Sequence, residues 1–193
     1  MNKVLKKKKP SELITSGLKL FIIMGVSGSG KTVIGKKLAK ELNKKSDFEF
    51  IDADDFHSTK AKQQMAANIP LNDAMRKPWI EAIIVKLNDL NKQNKNVVLA
   101  FSGLKKKHRE CFRILNFHCH YYYLFADIKT IRSRMTTRKN HFFSAELLAS
   151  QFRSMEEVES DENDITKLDI SSTFDEVYKH LDTLTLLELN KEP

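Results

Sequence analysis

A glycine-rich run at positions 25–32 carries the residue types that bind nucleotide phosphates. It contains, in unbroken order, Gly25, Val26, Ser27, Gly28, Ser29, Gly30, Lys31 and Thr32. Glycines let successive backbone N–H groups point inward at phosphate oxygens. Lys31 can reach the β- and γ-phosphates, and the Thr32 hydroxyl can ligate Mg²⁺. The run therefore predicts a site for a nucleoside triphosphate and Mg²⁺, with every residue except Val26 contacting the nucleotide.

Two carboxylates, Asp52 and Asp54, follow the short apolar run 48–51. One such acid can hold the Mg²⁺ shell through water, while the other meets the hydroxyl that accepts a phosphoryl group. The apolar run 97–101 ends without an aspartate, which makes Asp52 the better acid for the metal side. We therefore predict that Thr32 and Asp52 serve the metal and that Asp54 faces the acceptor. The alternative is a pair of aspartates that only cap a loop or helix.

An arginine set supplies the positive charge that phosphoryl transfer needs: Arg76, Arg109, Arg134 and Arg138. Arg134 and Arg138 are four residues apart, so they share one face of a predicted helix. Their mutual repulsion disappears when an anion lies between them and receives planar contacts from both guanidinium groups. A break in the helical pattern follows, and we predict a hinged lid at about 129–145 that closes over the nucleotide. The alternative is a solvated basic face.

The histidines and acids elsewhere suggest different roles. His57 comes shortly after Asp54, where an acceptor should bind, and an imidazole can hydrogen-bond a hydroxyl in either tautomer. His118 and His120 flank Cys119 but have no second ligand pair at metal spacing, so we do not predict a metal site there. The acidic residues from 156 to 164 are interpreted as a solvated loop.

The elements that must position these groups alternate between strands and helices. Strands are predicted at 18–24, 48–51, 97–101, 121–125 and 168–170. Helices are predicted at 33–42, 73–92, 127–138, 144–154 and 173–188, with a kink or break near Pro78. This alternation predicts an α/β fold with a parallel sheet covered on both faces. Ligands of such sheets bind at the carboxyl ends of the strands, where the motifs above lie.

Composition indicates one domain and argues against nucleic acid as a partner. The chain has 193 residues, a hydrophobic fraction of 41% and a formal net charge of +8. Five lysines lie in the first ten residues, and without them 28 basic residues face 25 acidic ones. We predict a flexible basic tail at 1–16 and one domain at 17–190. No apolar stretch reaches the ~18 residues of a membrane span, and the two cysteines fit no disulfide framework, so we predict a cytoplasmic protein.

Taken together, the motifs resemble the gluconate kinases, a family of P-loop small-molecule kinases. The matching segments are 24–32, 50–57, 70–73, 76–79, 102–106 with Arg109, and the lid region with Arg134, Arg138, 141–143, 147–148 and 150–152. The segment 70–73, followed by Arg76, Lys77, Pro78 and Trp79, is the most distinctive match. The resemblance covers about 20–180. It implies a three-layer P-loop kinase fold, with a five-stranded parallel sheet, flanking helices and a helical lid.

The resemblance also implies an activity and residue roles. The activity is ATP-dependent phosphorylation of D-gluconate to 6-phosphogluconate with Mg²⁺, and homodimers are common in the family. Lys31, Asp54, Arg134 and Arg138 become candidate catalytic residues, with Asp54 orienting or deprotonating the acceptor hydroxyl. Candidate contacts for gluconate are Asp54, His57, Arg76, Arg109 and His141.

Three departures from the family pattern leave the acceptor open. Ser58 stands where the family usually has proline, Asn68 where it has glycine, and Ala74 and Met75 where it has an acidic run. A related kinase for a shikimate-like acid or a nucleoside monophosphate is the alternative, although the segment 76–79 argues against it. A non-catalytic module that binds ATP or nucleic acid is a third hypothesis, which the retained acids and lid arginines disfavour.

Overall fold

Five parallel strands form one sheet, as the alternating pattern predicts. The computed structural model describes residues 17–136 and 145–191. The strands are β1 (Lys19–Met24), β2 (Phe48–Asp52), β3 (Asn96–Phe101), β4 (His118–Phe125) and β5 (Ile165–Asp169), in the spatial order β2-β3-β1-β4-β5. Every strand pair is parallel. The predicted fold class is therefore confirmed.

Seven α-helices connect or flank the strands in the described part of the chain. They are α1 (Lys31–Leu42), α2 (Thr59–Ala66), α3 (Asp73–Lys92), α4 (Lys106–Arg113), α5 (Ile128–Thr136), α6 (Ala145–Ser154) and α7 (Phe174–Leu189). The sequence prediction missed α2, α4 and a 3₁₀ turn at Ala53–Phe56. Of the kink or break predicted near Pro78, the break is wrong, because α3 continues through this residue.

The core lies on both faces of the sheet because its central strands are buried on both sides. In β1, Phe21 and Ile23 pack into one apolar cluster, and Leu20, Ile22 and Met24 pack into the other. This alternation follows from the two-residue period of a strand. No helix in the described ranges is long and apolar enough to cross a membrane.

The carboxyl ends of the three strands β1, β2 and β3 meet at one edge of the sheet. Met24 at the end of β1 is in register with Phe101 of β3, and Asp52 of β2 is in register with Ala100. The phosphate loop, the Asp52–Asp54 segment and the loop after β3 therefore start side by side. This convergence places the predicted chemistry in one region, as expected for an open parallel sheet.

The acidic segment between α6 and β5 is not uniformly solvated. Glu162 is only 4% exposed, and its carboxylate accepts hydrogen bonds from Arg109 and Arg113. Glu159 and Asp161 are exposed and pair with Lys106. The interpretation of the whole run as a solvated loop is therefore wrong for Glu162, whose partners lie far away in sequence.

Candidate active site

The phosphate loop requires glycine at two points where other chain segments approach it closely. At Gly25 (φ +146°) a Cβ would lie 2.6 Å from the carbonyl oxygen of Leu124, and at Gly28 (φ +84°) it would lie 2.7 Å from Cγ of Met135. The Gly25 N–H also donates to the carbonyl of Ser102 at 3.2 Å. The loop is therefore held between β4, the segment after β3 and α5, which fixes the direction of its N–H groups.

Some hydrogen-bond donors of the phosphate loop already have partners within the protein. Lys31 Nζ donates to the carbonyl of Val26 at 3.0 Å, and the Ser27 N–H donates to Gln151 Oε1 at 2.6 Å. Ser29 Oγ is buried without a hydrogen-bond partner among the described residues. A buried hydroxyl without a partner is costly, so a phosphate oxygen fits here. The sequence assigned no role to Gln151, because only the fold brings α6 to the loop.

Thr32 and Asp52 meet at the start of α1. Thr32 Oγ1 donates to Asp52 Oδ2 at 2.7 Å, and the second oxygen of Asp52 accepts from the Asp54 N–H at 3.1 Å. Within the described residues, no group of three or more His, Cys, Asp or Glu side chains could hold a metal ion. One hydroxyl and one carboxylate beside a phosphate site suit Mg²⁺, which keeps several waters and takes its other ligands from phosphates.

His57 lies between Asp54 and the only tryptophan of the chain. Its ring stacks on Trp79 with 4.3 Å between centroids, and Trp79 Nε1 donates to the carbonyl of Ala53 at 2.6 Å. His57 Nε2 is 3.7 Å from Asp54 Oδ1, while Nδ1 is buried without a partner in the described chain. Burial lowers the pKa of His57, which favours a neutral ring. A neutral imidazole with a free nitrogen can hydrogen-bond an acceptor hydroxyl.

Arg76 lies one turn into α3, beside a group of charged side chains. Its Nη1 is 3.5 Å from Asp73 Oδ1, and Asp73 also binds Lys105 Nζ at 2.9 Å and Lys107 Nζ at 2.6 Å. The hydrogen bonds from Lys107 and Lys105 hold the pKa of Asp73 well below its usual range. Arg76 is half-buried and lies one helical turn before Trp79, whose ring stacks on His57. The structure therefore brings Asp54, His57 and Arg76 together.

His108 is buried beside this group and gives a pH-dependent prediction. Burial, and then the charge of Arg76, lower its pKa to about 4. His108 takes up a proton near pH 6.5 in the unfolded chain but only near pH 4 in the folded chain. Its contribution to stability therefore decreases as the pH is lowered from about 6.5 to about 4. Relative to the variant His108→Gln, the wild type should lose about 1–2 kcal/mol of unfolding free energy between pH 7 and pH 5. Urea unfolding at the two pH values measures the change, and an unchanged difference would contradict the shifted pKa.

Arg109 corrects one prediction for the acceptor site. Its guanidinium group is fully buried and binds Glu162 at 2.6 and 2.7 Å, with a further bond to the carbonyl of Gly103 at 3.0 Å. The same group reaches the carbonyls of Glu156 and Glu157, each at 3.4 Å. Its donors are therefore spent inside the protein, and the structure removes Arg109 from the candidate contacts for an acceptor. Sequence could not show this, because α4 was not predicted.

A cavity of about 360 Å³ lies beside the phosphate loop. Its wall includes residues from the loop, α1, α5 and the start of α7: Gly28, Ser29, Gly30, Val33, Ile34, Arg134, Ile170, Ser172, Thr173, Phe174 and Val177. Arg134 hydrogen-bonds the carbonyls of Ile170 and Ser172. Val33 and Phe174 remain 50% and 41% exposed, although both are apolar. The predicted site residues Arg138 and His141 lie outside the described residues.

Comparison with known proteins identifies the family of this chain. The model of the shikimate kinase family matches residues 27–180, which is most of the chain. A thermosensitive gluconokinase of Escherichia coli (strain K12) is 43% identical over 151 residues, covering 78% of this chain and 79% of that protein. The chain belongs to the gluconokinase family. The resemblance inferred from the motifs is thereby confirmed.

Solved structures agree with this membership in the gluconokinase family. The crystal structure of a gluconokinase from Sinorhizobium meliloti 1021 matches with a TM-score of 0.75 at 27% identity, covering 88% of this chain and 93% of that one. The unliganded structure of a sugar kinase from Janibacter sp. HTCC2649 matches with a TM-score of 0.78 at 30% identity, covering 90% and 96%. The shared fold thus spans nearly the whole length of both structures.

Proposed function

We propose that this gluconokinase-family chain transfers the γ-phosphoryl group of ATP to D-gluconate, forming 6-phospho-D-gluconate. The observation that carries the proposal is the continuous row of side chains leading away from the phosphate loop. Thr32 binds Asp52, the Asp52 carboxylate binds the N–H of Asp54, and Asp54 lies beside His57. The cationic group around Arg76 starts one helical turn from Trp79, the residue that stacks on His57. The row begins at the phosphate site, continues with side chains that can bind hydroxyl groups and ends at cations. This order fits an acceptor that carries hydroxyl groups and an acid group.

The nucleotide side of the proposal uses the phosphate loop and the cavity beside it. The loop N–H groups, Ser29 Oγ and Lys31 bind the β- and γ-phosphates of ATP. Lys31 exchanges its internal bond to the carbonyl of Val26 for phosphate oxygens. The adenosine part occupies the cavity, where the exposed apolar side chains of Val33 and Phe174 gain a partner.

Thr32 and Asp52 would hold Mg²⁺, since they pair through oxygen atoms beside the loop. When bound with ATP, this ion neutralises negative charge on the phosphates. The residues of the chain contribute by binding and orienting the nucleotide and the acceptor. Arg134 lines the cavity and binds backbone carbonyls there, while Arg138 and His141 stay predictions for the lid at about 129–145.

On the acceptor side, Asp54 accepts the proton of the attacking hydroxyl as the hydroxyl oxygen bonds to the γ-phosphorus. The bond between the γ-phosphorus and the β,γ-bridging oxygen breaks at the same time, and ADP leaves. The Asp54 side chain is 77% exposed at the mouth of the site, so a hydroxyl can reach it. His57 positions an acceptor hydroxyl through its free ring nitrogen. Phosphoryl transfer depends mainly on such positioning and on charge stabilisation.

A panel of acceptors tests the function directly. ADP release is measured with Mg-ATP and D-gluconate, other sugar acids, shikimate or nucleoside monophosphates. We expect turnover with gluconate to exceed turnover with the others by at least about 100-fold in kcat/KM, because contacts along the whole acceptor add up. Folded protein without turnover on gluconate would refute the proposal, and preference for shikimate would favour the alternative that the matching family model suggests.

The proposal also includes four predictions that were made from the sequence. They are the cytoplasmic location, a homodimer, the absence of a nucleic-acid partner, and the division into a tail at 1–16 and one domain at 17–190. The residues of the tail lie outside the described ranges.

A further inference from the structure

Asp73, at the start of α3, is surrounded by more positive charge than it can neutralise. Lys105 Nζ lies 2.9 Å from its carboxylate, Lys107 Nζ 2.6 Å and Arg76 Nη1 3.5 Å. In the described part of the chain, the ion pairs of these three cations are all with Asp73. The neighbouring His108 stays neutral, since its pKa is lowered to about 4 by burial and by Arg76. The group therefore carries an excess of two positive charges.

Two of these cations, Lys105 and Lys107, also lie at the start of α4. Lys105 is the N-cap residue and makes no capping bond, and Lys106 and Lys107 form the beginning of the helix, whose first turn has no acid. Cations are unfavourable at a helix N-terminus, where the helix dipole is positive. Lys106 turns away to bind Glu159 and Asp161, whereas Lys105 and Lys107 turn to Asp73. The Glu156 carboxylate accepts a hydrogen bond from the Lys106 N–H at 2.7 Å and relieves part of this cost, and an additional anion beside Lys105 and Lys107 would relieve more.

The position of the group relative to Asp54 restricts what that anion can be. Arg76 lies one helical turn before Trp79 on α3, and the Trp79 ring stacks on His57 with 4.3 Å between centroids. His57 Nε2 is 3.7 Å from Asp54 Oδ1, so the cations lie on the His57 side of Asp54. In a linear sugar acid phosphorylated at its terminal hydroxyl, the carboxylate is at the opposite end of the molecule. An acceptor whose hydroxyl meets Asp54 would therefore extend its acid end towards Lys105 and Lys107.

We propose that Lys105 and Lys107, together with Arg76, form the carboxylate site of the acceptor, and that Asp73 holds these cations in place before the acceptor binds. This inference rests on the proposed function and assigns its acid-binding end. The acceptor carboxylate is the second anion of the group and reduces its excess charge. Asp73 acts as a positioning residue, because its bonds to both lysines order long side chains that otherwise lose entropy on binding. Lysines act as point charges here, so they tolerate a carboxylate in more than one orientation.

A chemical double-mutant cycle tests the site on the full-length enzyme. The acceptors are D-gluconate and D-gluconamide, which differ only in the charge of the acid end. We expect the wild type to prefer gluconate by about 10- to 100-fold in kcat/KM, mainly through KM, because a charge-assisted contact is lost in the amide. In Lys107→Met this preference should fall by about tenfold, with the KM for ATP unchanged. Lys105→Met is the second variant, and its side chain is less exposed than that of Lys107.

Lys92→Met is the matched control, because Lys92 also pairs with an aspartate, Asp89, on the same helix α3. It lies about 28 Å from Asp73 along the helix axis, judged from a rise of 1.5 Å per residue. This variant should keep the full preference for gluconate. Equal activity of the wild type on both acceptors, or an unchanged preference in both lysine variants, would overturn the carboxylate site while leaving the function intact. Absence of turnover on either acceptor would instead refute the function.

Discussion

Replacing Asp54 with asparagine should lower kcat by about 10²- to 10⁴-fold, the usual contribution of a general base. The amide keeps the size of the side chain but cannot take the proton of the attacking hydroxyl. The side chain of Asp54 is exposed and lies 3.7 Å from His57 Nε2, so the change leaves the core intact. ATP binding should stay within about twofold, because the nucleotide phosphates contact the loop rather than this residue.

Steady-state kinetics with saturating gluconate and a separate nucleotide titration distinguish these effects. Asp55→Asn is the matched control, since Asp55 is an exposed neighbour in the same 3₁₀ turn. It should retain nearly full activity. If Asp54→Asn turned over at a near-normal rate, Asp54 would not be the base. If the variant lost ATP binding as well, its role would lie with the metal and Asp52 instead.

Truncating Arg109 to alanine should lower the free energy of unfolding by about 3–5 kcal/mol, because it leaves a buried carboxylate without its main partner. Arg109 and Glu162 have side chains 0% and 1% exposed. Burial would raise the pKa of Glu162, but hydrogen bonds from Arg109 and Arg113 outweigh it and lower the pKa to about 2. Arg109 also binds the carbonyl of Gly103, next to the residue that contacts Gly25. The loss of stability should therefore include the loop after β3.

Denaturant unfolding of paired variants separates this buried pair from an ordinary surface pair. Lys92→Ala removes an exposed ion pair with Asp89 and should cost less than about 1 kcal/mol. The double variant Arg109→Met with Glu162→Met should recover much of the stability lost in Arg109→Ala, because no unpaired charge remains buried. A loss below about 1 kcal/mol in Arg109→Ala would show that the pair does not support the fold. In that case an acceptor contact for Arg109 would deserve a new test.

The parts of the site that sequence predicted are those whose chemistry is local. The phosphate loop needs a fixed spacing of glycine, lysine and threonine, and its strand and helix follow from apolar periodicity alone. Asp52 and Asp54 were placed correctly at the end of β2, because an apolar run of strand length precedes them directly. The alternation of strands and helices likewise predicted the parallel sheet and the edge at which these motifs meet.

The parts that sequence missed depend on pairs far apart in the chain. Arg109 looked like one more arginine for an anion, but its partner Glu162 lies 53 residues away. Gln151 and Ser27 are separated by 124 residues, and no local pattern connects them. Trp79 stood in the most distinctive segment without an assigned role, and only its stacking on His57 gives it one.

By itself, the sequence determined the phosphate loop and the sheet, since short-range spacing and periodicity encode both, and its motifs indicated the class of kinase through their resemblance to a known family. The tertiary structure decided which charged residues can meet a substrate. It buried Arg109 against Glu162 and left Arg76, Lys105 and Lys107 around a single aspartate. Burial and ion pairing arise only when distant segments pack together, so the charge of a side chain in the sequence does not reveal whether that charge is already neutralised.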